Sequence, residues 1–353
     1  MFCPQCGSTD KEMIEGICKD CFLKDFQLIS LPDEIKIVVC AHCHSNLKEG
    51  KWKELGLPEE EIIYQALEAA IEIKEIVENP EIDLEILKMR GSIAECLIQV
   101  KGSVMGDAVS QEYQANVRLN KSVCPDCSKF NSGYYETVIQ LRADKRHLSK
   151  AEIESADNVV NETLDRMWEK SRMAYLAQRV EMKEGIDYYI GSQKSARKVI
   201  SALKEVLGGI TKESPRLISQ DKSTGKGLYR TWISLRLPEF QVGDFIEYED
   251  QIGQVKSFDS RKIIADNLKS LKNFSVLWKE YEKIKSPAKA TEIKITSITS
   301  KSPTEIQILH PETFQPIDLS LTENLADFKI GQEVCVIQIH GEIYILPQLL
   351  NNN

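Results

Sequence analysis

Apolar residues recur along this chain with two different periods, and the changes of period divide it. After Leu57-Pro58, residues Ile62, Ile63, Ala66, Leu67, Ala70, Ile73, Ile76 and Val77 stand at helical spacing until Asn79-Pro80, which predicts one helix across the stretch. Short β-like runs follow at 84–89, 94–100 and 114–119, broken by Gly91, Gly102 and Gly106. From Tyr134 onward strands and helices alternate. Tyr135, Thr137, Ile139 and Leu141 have the strand period of two. Ser149-x-x-Glu152 then has the form of a capping box, opening a helix with Ile153, Ala156, Val160, Leu164 and Met167 on its buried stripe. Strands near 174–181 and 186–190 lead to a second helix. Its N-cap is Ser192, its core face Ala196, Val199, Ile200, Leu203 and Leu207, and its stop Gly208-Gly209. Two further strands, 215–220 and 228–237, surround a turn at 222–227. This order predicts an α+β sandwich module with the helices on one face of a mostly antiparallel sheet.

Past Pro238 the helical period fades. Val242-Gly243-Asp244-Phe245-Ile246 and Gln251-Ile252-Gly253-Gln254-Val255 have the pattern of paired strands in a small SH3-like barrel, and Lys285-Ser286-Pro287-Ala288 is the expected linker. Five short strands at 292–299, 305–309, 317–321, 333–338 and 342–346 then give the count of an OB-like barrel.

Candidate chemistry sits at the front of the chain. Four Cys-x-x-Cys pairs occur, Cys3/Cys6, Cys18/Cys21, Cys40/Cys43 and Cys124/Cys127, with Cys96 and Cys335 left over. Two intervening residues let both sulfurs of a pair face one ion, so eight thiols in this form indicate two tetrahedral Zn(Cys)4 sites, two zinc ions in all. Proline inside the turns at Pro4 and Pro125, and Gly7 after the first, suit such knuckles. Spacing does not state which pairs share an ion. The short hairpin around Gly16 joins the first two into one ribbon, which leaves the other two to close across a long insertion. Three alternatives stand beside this reading: disulfides, His42 or His44 replacing a cysteine, and a redox Cys-x-x-Cys. With no signal peptide before Cys3, a reducing, cytoplasmic setting is expected.

The domains expected are therefore a first zinc ribbon at 1–30, a second zinc-clamped subdomain with a helical and β insertion at 31–132, and the α+β module at 133–238. An SH3-like barrel at 239–286, an OB-like barrel at 287–347 and a polar tail at 348–353 complete the chain. The fold class is multidomain α+β.

Charge changes the functional picture. The formal net charge of -9 argues against a nucleic-acid partner until its distribution is read. Between Pro58 and Leu87 ten carboxylates face the single Lys74, which accounts for the whole deficit. Between Asp187 and Leu237 ten basic residues face Asp187, Glu205, Glu213 and Asp221. Such segregation suits one polyanion-facing surface, although a solvated helix face with loop lysines has the same composition. The candidate RNA-binding residues are Lys194, Arg197, Lys198, Arg216, Arg230, Trp232 and Arg236. On the last strand of the module Arg230, Trp232, Ser234 and Arg236 share one face. Trp232 there could stack on a base, or could cover the core under snorkelling arginines. No apolar run approaches a membrane span, and no membrane partner or small-molecule substrate is expected. Walker, dinucleotide-binding, H-E-x-x-H and nucleophile-elbow motifs are all missing, and zinc fully held by cysteine keeps no open position, so no catalytic residue is assigned.

The four knuckles, followed by Gly185-Ile186-Asp187-Tyr188-Tyr189-Ile190-Gly191-Ser192 before a basic helix, then Ser214-Pro215-Arg216-Leu217 and Tyr229-Arg230-Thr231-Trp232-Ile233-Ser234-Leu235-Arg236-Leu237-Pro238, resemble one family. It is the archaeal branch of the nonsense-mediated-decay protein 3 family, adaptors of the large ribosomal subunit. The resemblance is specific from Cys3 to Pro238 and weaker in the two barrels behind. It implies a zinc-bearing N-terminal region and a translation-factor-5A-like pair of barrels lying on the intersubunit face near the peptidyl and exit tRNA sites. Eukaryotic members carry a longer tail with nuclear export and import signals, whereas this chain stops at Asn353, so export is not expected of it. What the resemblance leaves is a monomeric, non-enzymatic adaptor that binds and occludes the large subunit in late assembly or quality control. The competing reading is a zinc-ribbon nucleic-acid-binding protein or enzyme with a non-ribosomal target.

Overall fold

The computed structural model describes residues 2–10, 12–53, 56–220, 225, 227–320 and 328–346. Most of the turn expected at 222–227 and the whole polar tail at 348–353 lie outside the described residues. Two compact units are formed, one from Met1–Ser132 with Glu169–Arg172, the other from Gly133–Trp168 with Met173–Asn353.

The first unit opens with a two-residue hairpin, Met13–Ile14 against Ile17–Cys18, followed by helix α1 (Lys19–Asp25). Its main sheet has six strands: β1 (Glu34–Cys40), β2 (Asn46–Lys48), β3 (Lys51–Lys53), β4 (Val77–Arg90), β5 (Ile93–Val104) and β6 (Asp107–Ser122), in the order β3-β2-β1-β6-β5-β4. The three short β-like runs are in fact one long meander. Gly91 and Gly106 take positive φ at its turns, but Gly102 lies within β5, where a Cβ would press on the Val77 side chain. It serves close packing and breaks nothing. β6 then pairs in parallel with β1, its Ser122 opposite Cys40. Helix α2 (Glu59–Ala70) lays Ile62, Ile63 and Leu67 on the sheet residues Ile98, Val100, Val117 and Leu119, and these are all buried.

That helix is shorter than its periodicity predicts. It ends at Ala70, Glu72–Ile73 pairs with Ile29–Ser30, and Val77 already begins β4. The β-branched residues Ile71, Ile73, Ile76 and Val77 favour extended backbone, and strand partners are there to take them. Asn79-Pro80 is a bulge in an edge strand, with Asn79 at φ 51, where the proline has no ladder hydrogen bond to lose. The acidic run is divided accordingly. Glu59, Glu60 and Glu61 occupy the first turn of α2, favourable to its dipole, while Glu78, Glu81, Asp83 and Glu85 line the exposed edge strand.

The second unit begins with the α+β module: β7 (Thr137–Ala143), α4 (Lys150–Trp168), β8 (Leu176–Met182), β9 (Gly185–Ile190), α5 (Gln193–Leu207), β10 (Ile210–Gln220) and β11 (Gly227–Leu237), where α3 is the short helix Pro125–Asn131 of the first unit. The sheet order is β8-β9-β7-β11-β10, antiparallel except for β7 with β11. Ser149 and Glu152 form a reciprocal capping box, at 2.9 Å from the Ser149 amide to Glu152 Oε2 and 3.2 Å from the Glu152 amide to Ser149 Oγ. Both helices pack on the face bearing Ile139, Leu141, Ile186, Tyr188, Ile190, Ile233 and Leu235.

Two five-stranded barrels follow. The first has β12 (Phe245–Tyr248), β13 (Gln251–Phe258), β14 (Lys262–Asn267), β15 (Asn273–Leu277) and β16 (Lys285–Ala288), with a 3-10 turn at Trp278–Lys283 before the last strand, in the SH3-like manner. Residues 285–288, expected as a linker, are thus a strand, paired with β12. Pro287 is tolerated because β16 is an edge. The second has β17 (Lys294–Lys301), β18 (Glu305–Leu309), β19 (Pro316–Ser320), β20 (Glu333–Ile339) and β21 (Glu342–Leu346), in the order β19-β18-β17-β20-β21.

Candidate metal centres and nucleic-acid interface

The fold gathers the eight paired cysteines into two groups, Cys3, Cys6, Cys18 and Cys21, and Cys40, Cys43, Cys124 and Cys127, each with its sulfurs within 4.8 Å of one another. The first group is local. Glu15 and Gly16, both at positive φ, turn the hairpin so that Cys18 ends its second strand and caps α1, which carries Cys21. Cys3 lies opposite, its carbonyl accepting from the Gly7 amide at 2.8 Å and its sulfur from the Cys18 amide at 3.3 Å. The second group is made by topology. Because β1 and β6 run parallel and in register, the turn after Cys40 and the start of α3 after Ser122 emerge side by side, and the Cys124 amide donates to Cys40 Sγ at 3.4 Å. His44 holds φ 57 after this knuckle, as Gly7 holds φ 75 after the first. Neither His42 nor His44 belongs to a group, and Cys96 and Cys335 are buried elsewhere.

Sulfur spacing identifies the kind of site. Cys6 and Cys18 Sγ are 3.4 Å apart, and Cys43 and Cys124 Sγ 3.6 Å. A disulfide would bring them to about 2 Å, whereas four sulfurs around one ion at ~2.3 Å lie about 3.8 Å apart. Amide donors, that of Cys18 above all, draw Cys3 down to about 6, while its neighbours Cys18 and Cys6, with burial, push Cys21 up to about 12. In the second group burial acts to raise the thiols of Cys40, Cys124 and Cys127. The amides of Cys124, His42 and Cys43 outweigh it at Cys40, brought down to about 6, whereas Cys124 and Cys127 are raised. The amide dipoles favour the thiolate form at Cys3 and Cys40, and a bound cation would favour it at all four cysteines of each group. Either set could hold a metal ion.

The seven candidate RNA contacts are not one surface. Lys194, Arg197 and Lys198 are exposed on α5, on the helix side of the module, where Arg197 pairs with Glu213 at 3.7 Å. Arg216, Arg230, Trp232 and Arg236 belong to the opposite face of the sheet, as the alternation of β11 requires, with Thr231, Ile233, Leu235 and Leu237 buried between them. Four arginines of that face have two fates. Arg142 pairs with the buried Asp187 at 2.6 Å, and Arg236 reaches Asp144 at 3.5 Å. Arg216 lies over the Trp232 ring at 4.9 Å and Arg230 over the Tyr135 ring at 4.0 Å. Among the described residues neither of these two has a carboxylate partner. Tyr135 in turn meets Tyr189 edge-on, centroids 4.9 Å apart. Tyr135 and Tyr189 escaped sequence reasoning. Tyr189 is legible as the residue alternating with the core Tyr188, but Tyr135 precedes β7 and leaves its alternation.

Two family models match the chain, one described as NMD3, N-terminal domain, over residues 3–132, and one described as NMD3, second domain, over 134–237. The 60S ribosomal export protein NMD3 of Saccharomyces cerevisiae is 21% identical over 291 residues, covering 78% of this chain and 52% of its own. That of Schizosaccharomyces pombe is 23% identical, covering 70% and 48%, and that of Xenopus tropicalis 22%, covering 67% and 46%. The chain spans about half the length of these relatives. A solved structure described as eukaryotic translation initiation factor 5A from Methanococcus jannaschii aligns with 30% of this chain and 88% of its own, at 11% identity and a TM-score of 0.22.

Proposed function

The chain belongs to the NMD3 family, and from that premise we propose that it is a non-enzymatic, zinc-binding adaptor that binds the large ribosomal subunit and occludes it during late assembly or quality control. The observation that supports this most is the match of both family domains across 3–132 and 134–237, together with relatives named as 60S ribosomal export proteins. The eight sulfurs are ligands to two zinc ions. All-thiolate tetrahedral sets favour zinc among common ions, and with every position filled by cysteine the metal serves folding and not hydrolysis. The basic residues of the α+β module contact rRNA phosphates, and the adaptor lies on the intersubunit face near the peptidyl and exit tRNA sites. It works as a cytoplasmic monomer and acts by occupancy, with no nucleotide consumed.

Sucrose-gradient co-sedimentation tests binding. The full chain should travel with isolated large subunits and not with small ones, and dissociate as salt is raised, since released counterions drive phosphate contacts. Recovery of the protein only at the top of the gradient at low salt would count against the assignment and favour a non-ribosomal target.

A further inference from the structure

Resting on that ribosomal reading and deepening it, we infer that the helix-free face of the α+β module is a stacking platform for unpaired RNA nucleotides. Helices α4 and α5 cover one side of this sheet, whose residues are buried. On the other side Tyr135, Tyr189 and Trp232 are only partly buried, around the buried Val138 of the central strand. Tyr189 and Trp232 both stand opposite Val138 in register, one on each neighbouring strand, so roughly 10 Å of sheet separates them. The β10–β11 hairpin runs past the start of β7 and carries Arg216 and Arg230, paired in register, on this same face.

The chemistry of the face selects the ligand. Its carboxylate Asp187 is buried and neutralised by Arg142, so cations set its charge, among them Arg216 and Arg230, which have no carboxylate partner among the described residues. Both hold the guanidinium over an aromatic ring, Arg230 half-buried and Arg216 exposed. Duplex RNA keeps its bases stacked inside and offers phosphates and a shallow groove, which mobile surface cations suit. Unpaired nucleotides offer free base planes, for which aromatic rings and guanidinium planes are the matching partners, with phosphates left to the arginines. An acidic protein partner would have no use for rings stacked edge to face, and an apolar one would leave Arg216 and Arg230 desolvated.

The test uses the full chain and fluorescein-labelled RNA of about ten nucleotides, as a single strand and as a duplex, followed by anisotropy. Single strands should bind about tenfold tighter than duplex. Trp232→Leu and Tyr189→Leu should each weaken single-strand binding about tenfold, while Trp232→Phe keeps most of it. Arg216→Gln with Arg230→Gln should reduce the slope of log affinity against log salt by about one to two. Equal affinity for duplex, or unchanged single-strand affinity in a Tyr189→Leu variant with wild-type melting, would overturn the inference. Should Trp232→Leu fail to fold, Tyr189→Leu and the arginine pair decide the matter. Co-sedimentation with large subunits is scored separately. Its failure with wild-type protein contradicts the ribosomal reading, while the oligonucleotide ratios decide the stacking surface.

Discussion

Cys43 and Cys124 stand 81 positions apart in the chain, yet their sulfurs meet, and that closure gives the residue scale its sharpest test. Purified protein should contain two zinc ions by metal analysis. Cys3→Ser should lose one of them and leave the six-stranded sheet protected from hydrogen exchange. Cys124→Ser should lose one and also open the C-terminal ends of β1 and β6, because a structural thiolate site contributes on the order of 10 kcal/mol to the segment it closes. A single zinc in wild-type protein would contradict the double site. Glu152 makes a second test. Burial raises its carboxyl, but the Arg146 guanidinium and the Ser149 amide outweigh that and hold it below 4.5. A group whose folded pKa is depressed stabilises above its unfolded value and loses that contribution as pH falls through the folded one. Thermal melts should therefore weaken below about pH 4.5, and Glu152→Gln should flatten that acid limb while costing about 1 to 2 kcal/mol near neutrality. The knuckles and the capping box were legible in sequence because their signals are local, two-residue spacings and Ser149 three positions before Glu152, whereas which knuckles meet is set by the pairing of β1 with β6. Tyr135 was not, since it precedes β7 and its place beside Tyr189 exists only after β7 and β9 pair.

Elements show where local reading fails. A helical period over residues 58–77 is real, but the β-branched residues after Ala70 have strand partners, and helix propensity is too small to resist them. The length of β4, β5 and β6 was hidden by Gly102, which looks like a break and is a contact with Val77. Lys285–Ala288 has linker composition and edge-strand geometry, a distinction made only by its pairing with β12. By contrast, the cap at Ser192 and the stop at Gly208 stand where the sequence puts them, since both are set by backbone chemistry within one turn. Gly208 does more than stop α5. It holds φ 67, and a Cβ there would overlap the Trp278 ring of the first barrel. Gly208→Ala should lower stability by about 1 to 3 kcal/mol, read as a drop in the midpoint of urea unfolding. An unchanged midpoint would mean that the module and the barrel do not depend on this contact.

At the scale of the whole molecule, no helix among the described residues is long and apolar enough to cross a membrane, and charge is sorted by region: acid on α2 and β4, base on the α+β module. Proposed as a large-subunit ligand acting by occupancy, such a protein needs no catalytic constellation. Its effect should then follow mass action and yield to excess competitor. The most direct measurement is light scattering during joining of purified large and small subunits from the source organism, with and without the full chain at a concentration that saturates the large subunit. Slower and less complete joining, recovered by added small subunit and independent of nucleotide, is the expected result. Joining at the same rate and to the same extent, with the protein shown to be bound, would contradict occlusion of the intersubunit face.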